Sequence, residues 1–239
     1  GNENTAVGQV AMYFNTTGGT NAAFGRAALY QNTTGSGNTA TGYGALQNNT
    51  TASNNTAVGT QSGLNVAGGN NTYIGYQAGS IFTATATGTD NVGVGIYASY
   101  KNTTGTYNVA VGANSLFGNT TGGSNTAVGR DALNNNSTAS NNTALGYQSM
   151  LSNTNGFSNS SFGNSALKAN TTGAWNTAIG SGALKLITNG FSNTSIGMGS
   201  LDFLTSGSDN IAIGSSAGRS FVGGNLTISN QSIYIGGGS

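Results

Sequence analysis

The chain of 239 residues contains no cysteine and no histidine. Without thiols it can form neither disulfides nor thiolate nucleophiles, and without imidazoles it lacks the side chain most often used for acid–base catalysis near neutral pH. Structural and catalytic zinc sites depend on the same two residue types. These absences exclude thiol-based, histidine-based and zinc-based enzyme classes, and we expect no metal and no cofactor.

Charge is also scarce. Charged residues make up 5% of the chain, with six basic and five acidic side chains and a net charge of +1, whereas soluble domains carry about 25%. Scattered basic residues form no stripe for phosphates, so nucleic acid is not an expected partner. No apolar run approaches the ~18 residues of a membrane span, so membrane insertion is not expected either.

The sequence is built instead from one recurring unit. Asn125-Thr126-Ala127-Val128-Gly129 returns 17 residues later, starting at Asn142. Self-similarity at a fixed period is the signature of stacked supersecondary units, so we expect residues 1–239 to form a single repeat array. A fourteenth copy starts at Ser232, and the other thirteen start at Asn4, Asn21, Asn38, Asn55, Asn71, Asn91, Asn108, Asn125, Asn142, Asn159, Asn176, Asn193 and Asn210.

The pattern inside the unit favours strands. The second and fourth positions are often β-branched or apolar and the third is small, which is strand alternation. A second apolar position, such as Leu29 or Leu133, predicts another short strand per repeat, and Asn32-Thr33-Thr34-Gly35 predicts the turn. Gly closes the first strand and is expected to adopt positive φ or to lie against backbone. Examples are Gly8, Gly25, Gly42, Gly59, Gly112, Gly129, Gly146 and Gly180.

This pattern predicts an all-β solenoid, or β-roll, of about fourteen short-strand coils with a 17-residue repeat. Stacking in register places the leading Asn residues in a column, where amide side chains can hydrogen-bond from coil to coil. Two or three modest apolar side chains per coil make a thin core. We therefore expect the small-residue face of the roll to pack against other chains.

The repeat resembles a known group of surface proteins. Asn-Thr-Ala-Val-Gly is similar to the Asn-Ser-Val-Ala-Ile-Gly motif in the β-roll heads of trimeric autotransporter adhesins. The longer unit, in which Asn108–Leu116 is followed by Asn119–Gly122, resembles repeats of tail-fibre-like proteins that often end in an endosialidase-type chaperone. The resemblance covers essentially the whole chain. It implies a parallel homotrimer in an extracellular, cell-surface or virion-surface fibre.

Two stretches depart from the period, at residues 63–90 and 215–231. The first inserts residues 80–87, and the second carries Arg219, Phe221 and Val222. Insertions within repeats usually form protruding loops, which are common binding surfaces. The regular coil at Asn4 and the apolar Ile233–Ile235 predict that both ends continue, into further domains or into another copy. Residues 237–239 fit a linker.

Aromatic residues offer one candidate for ligand contact. Phe157, Trp175 and Phe191 precede the Asn in three consecutive repeats, and Tyr107 shares the position of Trp175. Stacked coils would align them about 4.8 Å apart, where they could contact a surface glycan or seal the roll. Asp202 and Asp209 are the nearest approach to a catalytic carboxylate pair, as in a glycan depolymerase.

The sequence therefore predicts a non-enzymatic structural and adhesive fibre segment that associates with itself, as a homotrimer or end to end. Two alternatives stay open, a self-polymerising filament subunit and an ice-binding solenoid. For ice binding, only one residue of each Thr-Thr pair, such as Thr103-Thr104, could join an outward column, because adjacent strand residues point to opposite faces.

Overall fold

The computed structural model describes residues 1–81, 84–219 and 230–237. Its regular elements are strands of three residues, each starting directly after the first residue of a repeat and ending directly before the Gly. The described residues form β1 (Thr5–Val7), β2 (Ala22–Phe24), β3 (Thr39–Thr41), β4 (Thr56–Val58), β5 (Thr72–Ile74), β6 (Val92–Val94), β7 (Val109–Val111), β8 (Thr126–Val128), β9 (Thr143–Leu145), β10 (Ser160–Phe162), β11 (Thr177–Ile179), β12 (Thr194–Ile196), β13 (Ile211–Ile213) and β14 (Ile233–Ile235).

The chain divides into two compact units, residues 1–122 and residues 123–239. In the first, β1 to β7 pair in parallel, each with the next, so that Ala23 lies opposite Ala40. In the second, β8 to β14 pair in the same way, so that Ala127 lies opposite Ala144. Each unit is a parallel β-solenoid with one short strand per coil, which confirms the predicted all-β class.

The predicted irregular stretches interrupt the period without interrupting strand pairing. Across residues 63–90, β5 pairs with β6, and Val66 forms a parallel bridge with Ala86. Across residues 215–231, β13 pairs with β14. Residues 82–83 of the predicted insertion, residues 220–229 with Phe221 and Val222, and residues 238–239 lie outside the described part of the chain.

The central residue is small in every strand except β5 and β14, which have Tyr73 and Tyr234 there, and the small central residues point into the coil. Ala23, Ala40 and Ala127 are fully buried within one chain, whereas the fourth-position residues Val58 and Ile179 are exposed. The prediction that the small-residue face packs against other chains is therefore wrong. Alternation fixes which residues share a face but not which face is inside, and the strands admit mainly small side chains inward.

The second predicted strand is also wrong. Leu29 and Leu133 are fully buried, but their φ values are +49° and +48°, in the left-handed region. A non-glycine residue in this region destabilises the fold by about 1–2 kcal/mol. Burial of a Leu side chain stabilises it by about 1.5–3 kcal/mol. The backbone bends instead of extending, and the N–H of Asn32 donates to the carbonyl of Leu29 at 3.1 Å. A turn that buries a leucine thus replaces a strand.

A single large side chain fills the core where this leucine column is broken. Gly63, Gly79 and Ser99 occupy the leucine position in three successive coils of the first unit, and the ring of Tyr73, at the centre of β5, is buried there. A Cβ added at Gly63 would lie 3.5 Å from this ring. Burial raises the pKa of Tyr73 far above its ordinary value, and hydrogen bonds with Asn102 and Asn91 lower it in part.

The glycines that follow the strands form a column in which backbone lies against backbone. Gly129 has φ +129°, and a Cβ built there would lie 2.6 Å from the carbonyl oxygen of Gly146 in the next coil. The other glycines predicted to close the first strand share this positive φ, between 129° and 133°: Gly8, Gly25, Gly42, Gly59, Gly112, Gly146 and Gly180.

We predict that Gly129→Ala destabilises the protein by at least about 3 kcal/mol, because it adds a backbone clash to the strain of a positive φ. Gly182→Ala is the matched control. Gly182 also has positive φ, +68°, but a Cβ there would meet nothing within 4 Å, so only about 1–2 kcal/mol of backbone strain is expected. Denaturant unfolding compares the two variants, and equal losses would contradict the assigned contact.

Candidate functional site

The leading Asn residues form a ladder that joins neighbouring coils. The Asn142 side chain donates from Nδ2 to the carbonyl of Gly156 at 2.8 Å, which ties the start of its coil to the end. Its Oδ1 accepts from the backbone N–H of Asn159 in the next coil at 3.0 Å. Side-chain bonds of this ladder are also made by Asn4, Asn21, Asn38, Asn55, Asn108, Asn125, Asn159, Asn176 and Asn193.

A second ladder lies in the predicted turn, where the sequence reasoning did not place one. Asn32 is fully buried. Its Nδ2 lies 2.9 Å from Asn15 Oδ1 in the preceding coil and 2.9 Å from the carbonyl oxygen of Gly35. The same carbonyl accepts from Asn21 of the first ladder at 2.9 Å. The second ladder could have been found, because its Asn recurs at the same 17-residue period as the first.

Both ladders use most of their amide groups internally, although Asn55 Nδ2, Asn49 Oδ1 and Asn170 Oδ1 are buried without a hydrogen-bond partner among the described residues. Apart from Asn4, the first-ladder residues from Asn21 to Asn193 are at most 2% exposed. A buried amide that donates and accepts within the protein has little left to offer a ligand. These Asn columns thus hold the coils together.

We predict that Asn142→Ala costs about 1–3 kcal/mol of unfolding free energy, because the buried N–H of Asn159 and the carbonyl of Gly156 each lose a partner. Asn164→Ala is the control, since Asn164 is exposed; it should change stability by less than about 0.5 kcal/mol. Chemical denaturation gives both values. A loss at Asn142 no larger than that at Asn164 would mean that the ladder contributes little.

In the Thr-Thr pair of the turn, the first residue hydrogen-bonds to the next coil and the second lies at the surface. The hydroxyl of Thr33 donates to the carbonyl of Thr50 in the next coil at 3.0 Å, and that of Thr171 donates to Thr188 at 2.9 Å. The second residue of each pair, such as Thr34, is exposed. In these two pairs the second Thr is the more exposed residue, whereas both residues of Thr16-Thr17 and of Thr50-Thr51 are exposed. The expectation of one outward Thr per pair is therefore wrong for those coils.

In each unit, the outward surface of the strands is a candidate interaction surface. We call it the strand face; it consists of the second and fourth positions of each repeat. No strand residue is charged, and the second position is most often Thr. The exposed fourth-position apolar residues are Val7, Phe24, Val58 and Ile74 in the first unit, and Val128, Phe162, Ile179, Ile213 and Ile235 in the second.

The predicted aromatic strip forms a contacting cluster in the second unit. The ring centroids of Phe157 and Trp175 lie 4.8 Å apart at 81°, and those of Trp175 and Phe191 lie 6.2 Å apart at 47°. The rings are tilted against each other, so they do not form one flat stacking platform. All three are exposed. Tyr107 belongs to the first unit and is also exposed.

Two further aromatic clusters lie in the first unit, and the sequence reasoning did not identify them. Tyr13, Phe14 and Tyr30 form one, with centroids 5.0–5.8 Å apart. The other consists of Tyr76, Tyr97, Tyr100 and Phe117. Their members come from the segment between the strand glycine and the turn, where one repeat differs from the next.

The two carboxylates singled out by the sequence, Asp202 and Asp209, lie in different surroundings. Asp202 Oδ2 lies 3.4 Å from Arg219 Nε. Burial raises the pKa of Asp202, while Arg219 and Lys185 act in the opposite direction. Asp209 is exposed at φ +60°, and its backbone N–H donates to Phe191. Among the described residues, no group of three Asp, Glu, Cys or His side chains could hold a metal ion.

Comparison of the chain with protein-family models, with curated proteins and with solved structures finds no match. Over the described ranges, no helix has the length and apolar character needed to cross a bilayer.

Proposed function

We propose that this chain is a non-enzymatic structural segment of an extracellular surface fibre, and that copies of it associate through the strand face into a parallel homotrimer. The observation that carries the proposal is the column of exposed apolar side chains on an uncharged sheet surface, such as Val128 and Ile179 in the second unit. Contiguous exposed apolar surface of this kind marks an interaction site in soluble proteins.

A second copy of the same chain is the partner that fits this surface. The strand face carries no charge, so identical faces meet without repulsion between like charges. Its fourth-position column is apolar in nearly every coil, so copies in the same register bring Ile179 against Ile179. Burial at about 25 cal/mol per Å² would then add the apolar stabilisation that the thin interior lacks.

The fibre assignment rests on the repeat itself. The Asn-Thr-Ala-Val-Gly array resembles trimeric adhesin heads and tail-fibre-like proteins, and this resemblance supports both the trimer and the cell-surface or virion location. The solenoid coils of the two units support the role of a spacer. The exposed cluster of Phe157, Trp175 and Phe191 supports an adhesive contact with a surface glycan.

We predict a mass in solution of three times the 23.6 kDa chain, measured by sedimentation equilibrium. The double variant Val128→Lys/Ile179→Lys should shift it toward the monomer, because charges buried at the interface have no partners. Asn164→Lys, an exposed position outside the strand face, is the control and should remain trimeric. A monomeric mass for the unmodified chain at all accessible concentrations would contradict the proposal.

Ice binding is a second candidate function for the same surface. The observation that favours it is the column of hydroxyl side chains at the second position of the strands, where Thr126, Thr143, Ser160 and Thr177 are in register in the second unit. Parallel strands repeat these hydroxyls about every 4.8 Å on an uncharged face. A monomeric chain with thermal hysteresis that is lost in Thr143→Lys would favour this candidate over the trimer.

A further inference from the structure

The cluster of Tyr76, Tyr97, Tyr100 and Phe117 is a surface of the first unit, separate from the strand face. It is built from three successive coils, because Tyr76 follows β5, Tyr97 and Tyr100 follow β6, and Phe117 follows β7. Two steps of about 4.8 Å make it roughly 10 Å long. Tyr76 is exposed, and the other three rings are half-buried.

The rings of this cluster present two perpendicular walls. Tyr100 and Phe117 are nearly parallel, with an interplanar angle of 9° and centroids 5.1 Å apart. Tyr97 stands at 88° to Tyr100 with a centroid distance of 5.5 Å. Tyr76 stands at 78° to Tyr97, also at 5.5 Å. Apolar ring surfaces of different orientation therefore border one short stretch of the surface.

Polar groups lie at the rim of these rings. The pKa of Tyr97 is raised above its ordinary value, first by burial and then by Tyr76, with which it shares a hydrogen bond. The pKa of Tyr100 is also raised, first by burial and then by the electrostatic effect of Tyr76. Both phenols therefore stay protonated at neutral and mildly alkaline pH, where a hydroxyl both donates and accepts hydrogen bonds.

One positive charge accompanies the cluster. The Nζ atom of Lys101 lies 5.1 Å from the ring centroid of Phe117. Lys101 is exposed, and no carboxylate among the described residues forms an ion pair with it. The two acidic residues of the first unit, Glu3 and Asp90, directly precede the Asn of their repeats, before the strand in sequence rather than after it. Lys101 is therefore the charged group that accompanies this cluster.

We propose that this cluster binds an acidic oligosaccharide, with Lys101 paired to a sugar carboxylate and the rings packed against the sugar. A pyranose has apolar C–H faces and hydroxyl edges, which suit ring walls with phenol groups at their rim. The length of about two coil steps fits two or three sugar residues. An acidic peptide would match the charge but would leave the phenols without the dense hydroxyl partners of a sugar.

This inference does not rest on the proposed trimer. The residues that carry it lie outside the strands, so a monomer or a trimer presents them equally. Failure of the sedimentation experiment would leave the glycan site standing, and failure to bind sugar would leave the trimer standing.

The test is calorimetric titration of the full chain with trigalacturonate and, as the neutral ligand of equal length, maltotriose. Trigalacturonate should bind about fivefold more tightly than maltotriose, and this preference should disappear in Lys101→Ala, since one partly exposed ion pair is worth about that factor. Tyr76→Ala should weaken both ligands, because a ring wall is lost. Thermal unfolding of each variant verifies that the fold is intact.

Tyr30→Ala is the matched control. Tyr30 belongs to the cluster with Tyr13 and Phe14 in the same unit, and the guanidinium of the nearby Arg26 lies 5.7 Å from the ring centroid of Tyr43 instead, so trigalacturonate binding should not change. Equal binding of the acidic and neutral sugars, no binding of either, or an unchanged preference in Lys101→Ala would overturn the proposal. Equally tight binding of triglutamate would overturn the assignment to sugar.

Discussion

The structure depends on the hydrogen bonds of the buried amide that leads each regular coil. In a coil such as that of Asn142, one side chain links the start of the coil to its end through Gly156 and links the coil to the next through the N–H of Asn159. The interior of most coils holds little beyond two or three small residues and a leucine or methionine. With so few apolar groups to exclude water, the amide contacts fix the spacing and register of the strands.

The register of the strands also determines which side chains fit inside the coil and which must lie outside. Because each Gly carbonyl lies against the next Gly, as with Gly129 and Gly146, no side chain fits in the column. The strands can admit only small residues inward, with Tyr73 as an exception where the leucines are missing. The larger strand residues must then point outward, and a fold with a thin interior acquires an apolar exterior that favours association.

The sequence was sufficient to predict the period, the first strand of each repeat and the glycine positions, since these follow from the spacing of Asn and Gly. It was not sufficient to predict the conformation of Leu29, because apolarity indicates burial and does not distinguish an extended residue from one at φ +49°. The inward-facing side of the strands was predicted wrongly, because an alternating pattern is the same whichever of its two sides faces the interior. The cluster at Tyr97 was missed because its members occupy different positions of the repeat and meet only once the coil is closed.

The difference between positions that recur in the repeat and positions that vary shows where ligand recognition can occur. Residues that recur in every coil, such as Asn142 and Gly129, are engaged with neighbouring coils and cannot distinguish one ligand from another. Positions that vary lie outside: the residue after the strand glycine is Arg26, Tyr43 or Met198 in different coils, and Tyr43 and Met198 are exposed. Selectivity for a partner must come from such differences between coils, and the charge and aromatic content gathered around Lys101 make that stretch of the first unit chemically distinct from the repeat.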